Sequence, residues 1–147
     1  MSEELDIDWF AFGYLGTILH FASGGGIVPP FINERTQEIA ENILLLPIIS
    51  SAILINEKIS DFVSLPDKNS YDRYVESFCA YAKRGLFSFD KSVLNDYTNP
   101  MYHLVASPLS SGVLKKGELS DSLLTLMRKN ITSINPFEDK SLDIRKI

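Results

Sequence analysis

Trp9-Phe-Ala-Phe-Gly-Tyr-Leu-Gly-Thr-Ile-Leu-His-Phe-Ala22 is the stretch that decides the fold. Two runs rich in aromatic and β-branched residues, Trp9 to Tyr14 and Thr17 to Ala22, are separated by Leu15 and Gly16, which reads as two strands joined by a tight turn. In the first run Trp9, Ala11 and Gly13 alternate with Phe10, Phe12 and Tyr14, so both faces carry bulk and at least one is fully buried. The second run ends at Ser23 and three glycines, Gly24, Gly25 and Gly26, with Pro29 and Pro30 beyond, and regular structure stops there.

Downstream, Asn33 reads as the N-cap of a helix that places Ile39, Ile43 and Leu46 on one stripe and stops at Pro47. Ala52 to Ile55 is a short apolar strand, followed by a polar connection through Pro66, Asp67 and Lys68. A second helix, capped by Asn69 or Ser70, carries Tyr71, Tyr74, Val75, Phe78 and Ala82 at helical spacing. It closes with Lys83 and Arg84, where the helix dipole favours cations, and with Gly85 at a position that prefers a left-handed residue. Leu86, Phe87 and Phe89 form a strand ending at Asp90, and Met101 to Ala106 forms another, ended by Pro108. A third helix starts near Ser120 and runs to Asn130. The tail Ile131 to Ile147 mixes charged and apolar residues, and its order is left open. The expected fold class is α+β: one domain over residues 1–147, with a mainly antiparallel sheet of about five strands and about three helices packed on one face.

Composition limits the function. The chain of 147 residues is 45% hydrophobic, with nine Phe, six Tyr and one Trp, which is a globular composition. The single cysteine, Cys79, cannot form an internal disulfide, and no basic segment followed by an apolar run occurs in the first thirty residues, so a cytosolic protein is expected. The apolar stretch from Ile43 to Ile55 is too short to span a bilayer, which needs about 20 residues. A net charge of −5 argues against nucleic acid. The charge is uneven: residues 1–74 hold eleven acids and four bases, the remainder eight acids and ten bases. Glu3, Glu4, Asp6, Asp8 and Glu34 precede the first Lys or Arg, and they are the expected partner-binding residues because such a patch steers a cationic partner.

No catalytic signature appears. The three glycines are followed by Ile27, Val28 and two prolines, without the Gly-Lys-Ser/Thr of a phosphate loop. His20, His103 and Cys79 are too dispersed for a metal site of the usual spacing, and Cys79, beside Phe78 in an amphipathic helix, reads as a small hydrophobe. Asp6 and Asp8 share one side of an extended segment, whereas Asp90 at a strand end reads as a turn cap. Tyr71, Tyr74, Tyr81, Tyr97 and Tyr102 fit a core as well as an interface. No cofactor and no metal are expected.

Two segments, Tyr74 to Asp90 (YVESFCAYAKRGLFSFD) and Tyr102 to Pro108 (YHLVASP), resemble a pattern in small bacterial proteins, some of which are similar to immunity proteins of polymorphic toxin systems. The resemblance implies a non-enzymatic cytosolic protein that binds a cognate, often basic, toxin domain and blocks its active site. The alternative expectation is a small enzyme or ligand-binding domain with its site near Gly24–Gly26 and the two histidines.

Overall fold

A computed structural model describes residues 6–147. The decisive stretch folds as read: β1 (Asp8–Phe12) and β2 (Ile18–Ala22) pair antiparallel through a turn over Tyr14–Gly16. Leu15 and Gly16 take left-handed backbone there, with φ of 59° and 73°; only the second sits on a residue without a Cβ. Both faces of the hairpin are buried, as the alternating bulk requires.

The remaining elements are α1 (Thr36–Leu44), β3 (Ile53–Ile55), α2 (Lys68–Lys83), β4 (Phe87–Lys91), β5 (Met101–Pro108), α3 (Asp121–Met127) and β6 (Ser141–Asp143). The fold is α+β, with a six-stranded sheet in the order β1-β2-β4-β5-β3 and β6 also pairing with β5. Every pairing is antiparallel except β2 with β4. That one is parallel because α1, β3 and α2 intervene and return the chain to the same end of the sheet.

The helices gather on one face. There α1 and α3 lie over Phe10, Phe12 and Ile18, and α2 lies over β4 and β5. The opposite face, built on Trp9, Phe21, Phe89, Tyr102 and Leu104, has no α-helix of the described residues over it. It is covered by irregular chain that supplies Ile32, Ile134 and Ile144, so the segment 131–147 forms part of the core.

Local readings change in detail: α3, for one, stops at Met127 instead of running to Asn130. Asn33 does not cap α1: the cap position is Arg35, and the Asn33 side chain accepts from Arg35 N and donates to the Leu126 carbonyl, tying the loop to α3. The second helix starts one residue before Asn69, because Asp67 accepts from Ser70 N at 2.8 Å and caps it. The sheet has a sixth strand, β6, inside the tail. Ser120 caps α3 as expected, accepting from Leu123 N. Gly85 takes φ of 94°, and a Cβ there would stand 2.5 Å from the Leu114 backbone nitrogen.

The outer edge of β1 is closed by the chain itself. Phe12 N donates to the Asn130 carbonyl and Thr132 N to the Phe12 carbonyl. The fully buried Asn130 side chain donates to the Phe10 carbonyl and accepts from Asn33 N, both at 2.9 Å. Asn130→Ala leaves both backbone groups without a partner in the interior and is expected to cost about 2 kcal/mol, measured by urea denaturation.

Candidate functional site

Period-two alternation places Trp9, Leu19, Phe21, Phe87, Phe89, Tyr102 and Leu104 toward the face without helices. The intervening residues, Asp8, His20, Ala22, Ser88, Asp90 and His103, therefore point toward the helices. Register aligns Asp8 with Ala22, Ala22 with Asp90 and Asp90 with His103, one straight row across four strands. Two strand spacings of about 4.8 Å set Asp8 and Asp90 about 10 Å apart at Cα, with only the methyl of Ala22 between them. A hollow of about 380 Å³ opens over this gap, with Asp6 and Gly24 at one end and Tyr74, Phe78 and Leu94 on its walls.

Each carboxylate of the row is oriented by a chain of hydrogen bonds from behind. His20 is fully buried; burial holds its proton affinity down against the pull of Asp8, so the ring is neutral at pH 7. Its Nε2 donates to Asp8 Oδ1 at 2.7 Å while its Nδ1 accepts from the Ser88 hydroxyl at 2.6 Å, and Tyr81 stacks on the ring. The second chain runs through Tyr74, whose hydroxyl donates to Asp90 Oδ2 at 2.6 Å. His103 Nε2 lies 3.1 Å from the same hydroxyl and donates to it, and His103 Nδ1 accepts from Ser92 Oγ at 3.0 Å. Burial holds the Tyr74 phenol far above its ordinary range, pushes His103 down to about 4 and lifts Asp90 to about 6. At pH 7 both histidines are neutral and Asp90 is ionised, so Asp8 and Asp90 take these side-chain hydrogen bonds from uncharged donors.

The wiring of Ser88, His20 and Asp8 resembles that of an activated serine, but Ser88 is fully buried. Among the described residues no group of three or more His, Cys, Asp or Glu is placed to hold a metal ion. A larger hollow, about 490 Å³, lies between Pro30–Asn33 and the end of α3; its cations, Arg128 and Lys129, face solvent, and no buried titratable group converges on it.

The expected site residues divide. Asp6 and Asp8 enter the cleft. Glu3 and Glu4 lie outside the described residues, and Glu34 is exposed in the loop before α1, lining neither this hollow nor the smaller one between Asp6 and Gln37. Gly24 N donates to Asp6 Oδ1, and Gly26 is pressed against the stem of buried Lys91, where a Cβ would meet Cε at 2.7 Å. Lys91 Nζ donates to the Asn99 carbonyl, so the glycine loop is packed and its concave side is filled. Cys79 is half-buried, with its thiol pushed up by burial. Tyr102 lies buried beneath Trp9, whereas Tyr97 is half-exposed, its carbonyl accepting from Ile27 N.

Asp90, the residue that completes the site, reads from sequence as a turn cap. The available signal was the alternation Phe87-Ser88-Phe89-Asp90, which sets Asp90 opposite the phenylalanines.

No helix among the described residues is long and apolar enough to cross a membrane. No family model matches the chain, and no curated protein and no solved structure matches it.

Proposed function

We propose that this chain is a non-enzymatic protein-binding module that captures a basic protein through the acidic cleft, and most concretely an immunity protein that neutralises a cognate bacterial toxin. One observation carries the reading: Asp8 and Asp90 flank a gap floored by Ala22, and the buried side chains behind them are neutral. A site whose carboxylates form no ion pair with a Lys or Arg among the described residues is suited to a cation from outside. The apolar side chains of Phe78 and Leu94 that line the hollow suit the stem of a lysine or arginine, which buries its methylenes while its charged end reaches carboxylates. The resemblance of Tyr74–Asp90 to immunity proteins supports a toxin as the partner, and that segment supplies Tyr74, Phe78 and Asp90 to the cleft.

The test is affinity purification of the tagged chain from its native host at low and moderate salt, with the retained proteins identified by mass spectrometry. The wild type is expected to retain one basic partner whose recovery falls as salt rises. Asp6→Lys with Asp8→Lys is expected to lower that recovery at least about tenfold, as reversal of charges in a complementary interface does. Equal recovery by wild type and variant would remove the cleft from the interface.

The second reading, a small enzyme or ligand-binding domain near Gly24–Gly26, His20 and His103, draws on the two hydrogen-bonded chains that run from the histidines to the cleft carboxylates. It requires a small ligand whose binding is lost in His20→Ala or His103→Ala; unchanged binding in both would sink it.

A further inference from the structure

The irregular chain over the face that carries no α-helix leaves one corner of the sheet open. The register of β4 with β5 shifts between Ser88 and Phe89, which makes Val105 an extra residue and lets Leu104 and Ser107, three apart, share that face. Leu54 of β3 stands opposite Ser107 and joins them. Two hollows open there: one of about 490 Å³ with mainly apolar walls, and one of about 140 Å³ lined by Glu57, Ser107 and Lys140. Leu54, Leu104, Ser107 and Lys140 line both, so the two form one continuous groove.

Ser107 is 8% exposed, and the surface it keeps lies in this groove. Among the described residues its hydroxyl has no hydrogen-bond partner, whereas every other buried polar side chain has one. A buried hydroxyl left free calls for a partner from outside. Glu57 and Lys140 are exposed and form no ion pair with each other or with any other described residue. The smaller hollow thus offers a hydroxyl, a cation and an anion, all uncommitted, beside an apolar chamber.

The walls are held in place. Leu104 N donates to the Lys140 carbonyl at 2.8 Å, which fixes residue 140 against β5. Phe137 meets Phe87 edge-on at 5.1 Å between ring centroids. The turn that carries Phe137 is closed from both sides, with Asn135 Oδ1 accepting from Phe137 N and Asp139 Oδ2 accepting from Asn135 N. The groove is therefore preformed, and a volume of about 490 Å³ suits a small molecule.

We propose that this groove binds a free α-amino acid with a large apolar side chain. Charge and shape select the ligand. Its carboxylate takes the Ser107 hydroxyl and Lys140 Nζ, and its ammonium lies against Glu57. Its side chain enters the larger hollow and covers Leu54 and Phe137, which are 55% and 45% exposed. A plain carboxylate would stand beside an unpaired Glu57, and a plain amine beside an unpaired Lys140; a zwitterion satisfies both. The acidic cleft lies on the opposite face of the sheet, over β1, β2 and β4, so filling the groove and capturing a basic partner fail independently.

The test is titration of the isotope-labelled full chain with L-phenylalanine, followed by backbone amide chemical shifts. Saturable shifts centred on Glu57, Ser107 and Lys140 are expected, with a Kd below about 1 mM for a ligand of this size. Ser107→Ala is expected to weaken binding about tenfold, the effect of losing a hydrogen bond to a charged group. Lys140→Glu and, separately, Leu54→Glu are expected to abolish it, both at exposed positions and with unchanged far-UV circular dichroism. L-Alanine, which lacks the apolar body, is expected to bind at least about tenfold more weakly. Phenylpropionate and phenethylamine, which each lack one charge, are expected to bind about fivefold more weakly. No saturable shift up to about 10 mM, shifts that spare these three residues, full binding by both Ser107→Ala and Lys140→Glu, or phenylpropionate binding as tightly as L-phenylalanine would each overturn the proposal.

Discussion

Trp9→Ala is expected to lower stability by about 3–5 kcal/mol, the cost of truncating a fully buried aromatic side chain. Trp9 is the largest side chain of the face without helices and has no exposed surface. Its ring stacks on Phe21 at 4.0 Å and meets Tyr102 edge-on at 6.0 Å, while Nε1 donates to the Tyr102 hydroxyl at 3.3 Å. Alanine removes all three contacts. The surroundings relax little, because Phe21 also stacks on Phe89 and Tyr102 is held between β4 and β6. Trp9→Phe keeps a stacked ring and forfeits the hydrogen bond and some volume, so a loss of about 1–2 kcal/mol is expected. Trp9 is the only tryptophan, so the comparison is made by urea denaturation followed in the far ultraviolet. A loss below about 1 kcal/mol for Trp9→Ala would mean that this face collapses around the missing ring.

Asp90→Asn is expected to stabilise the protein at pH 7.5 by about 3 kcal/mol. Burial lifts this carboxyl from 3.8 to about 6, and at about 1.4 kcal/mol for each tenfold change in proton affinity the ionised form costs the folded state about 3 kcal/mol. The folded protein holds the Asp90 proton more tightly than the unfolded chain does. The penalty is therefore complete above about pH 6 and absent below pH 3.8, so the advantage of the variant disappears toward pH 4. Asparagine still accepts from Tyr74 and is close in size.

His103 acts in the opposite direction. Burial pushes it down from 6.5 to about 4, so the unfolded chain takes up that proton first, and its contribution to stability is lost as pH falls through this interval. His20, held neutral by burial, adds to the same loss. Between pH 6 and 4 the wild type sets Asp90 against the histidines, giving a flattened profile, whereas Asp90→Asn falls steeply. Urea midpoints across this range measure both curves. If the same substitution weakens partner capture while raising stability, Asp90 is retained for binding at the expense of the fold.

The legible parts of the fold share a feature: their signals are local. The hairpin follows from two alternating runs around Leu15-Gly16, and α2 from five apolar residues on one stripe closed by Gly85. The Asp67 cap was hidden because Asn69 and Ser70 offer equally good capping chemistry two and three residues later. β6 has three residues, too few to show a period, and exists through its pairing with Met101–His103. The parallel register of β2 with β4 joins residues nearly seventy apart in sequence, as in Leu19 with Phe87, which no local pattern announces. The candidate site divides in the same way. Asp6 and Asp8 stand out in sequence as neighbouring acids, but the row that sets Asp8 opposite Asp90 is made by that register.

That register also gives folding a timetable. The β1–β2 hairpin needs only a short turn and can close within microseconds. β2 cannot gain its second neighbour until residues 23–86 have been laid across the sheet, a closure whose entropic cost is met before its contacts form. Until then Trp9 and Phe21 lie on an unfinished ribbon with an open edge, and they remain uncovered until Ile134 and Ile144 arrive. The slow interval of folding is thus spent with the most aromatic surface of the chain in water, so newly made protein is most prone to aggregate before the cleft exists.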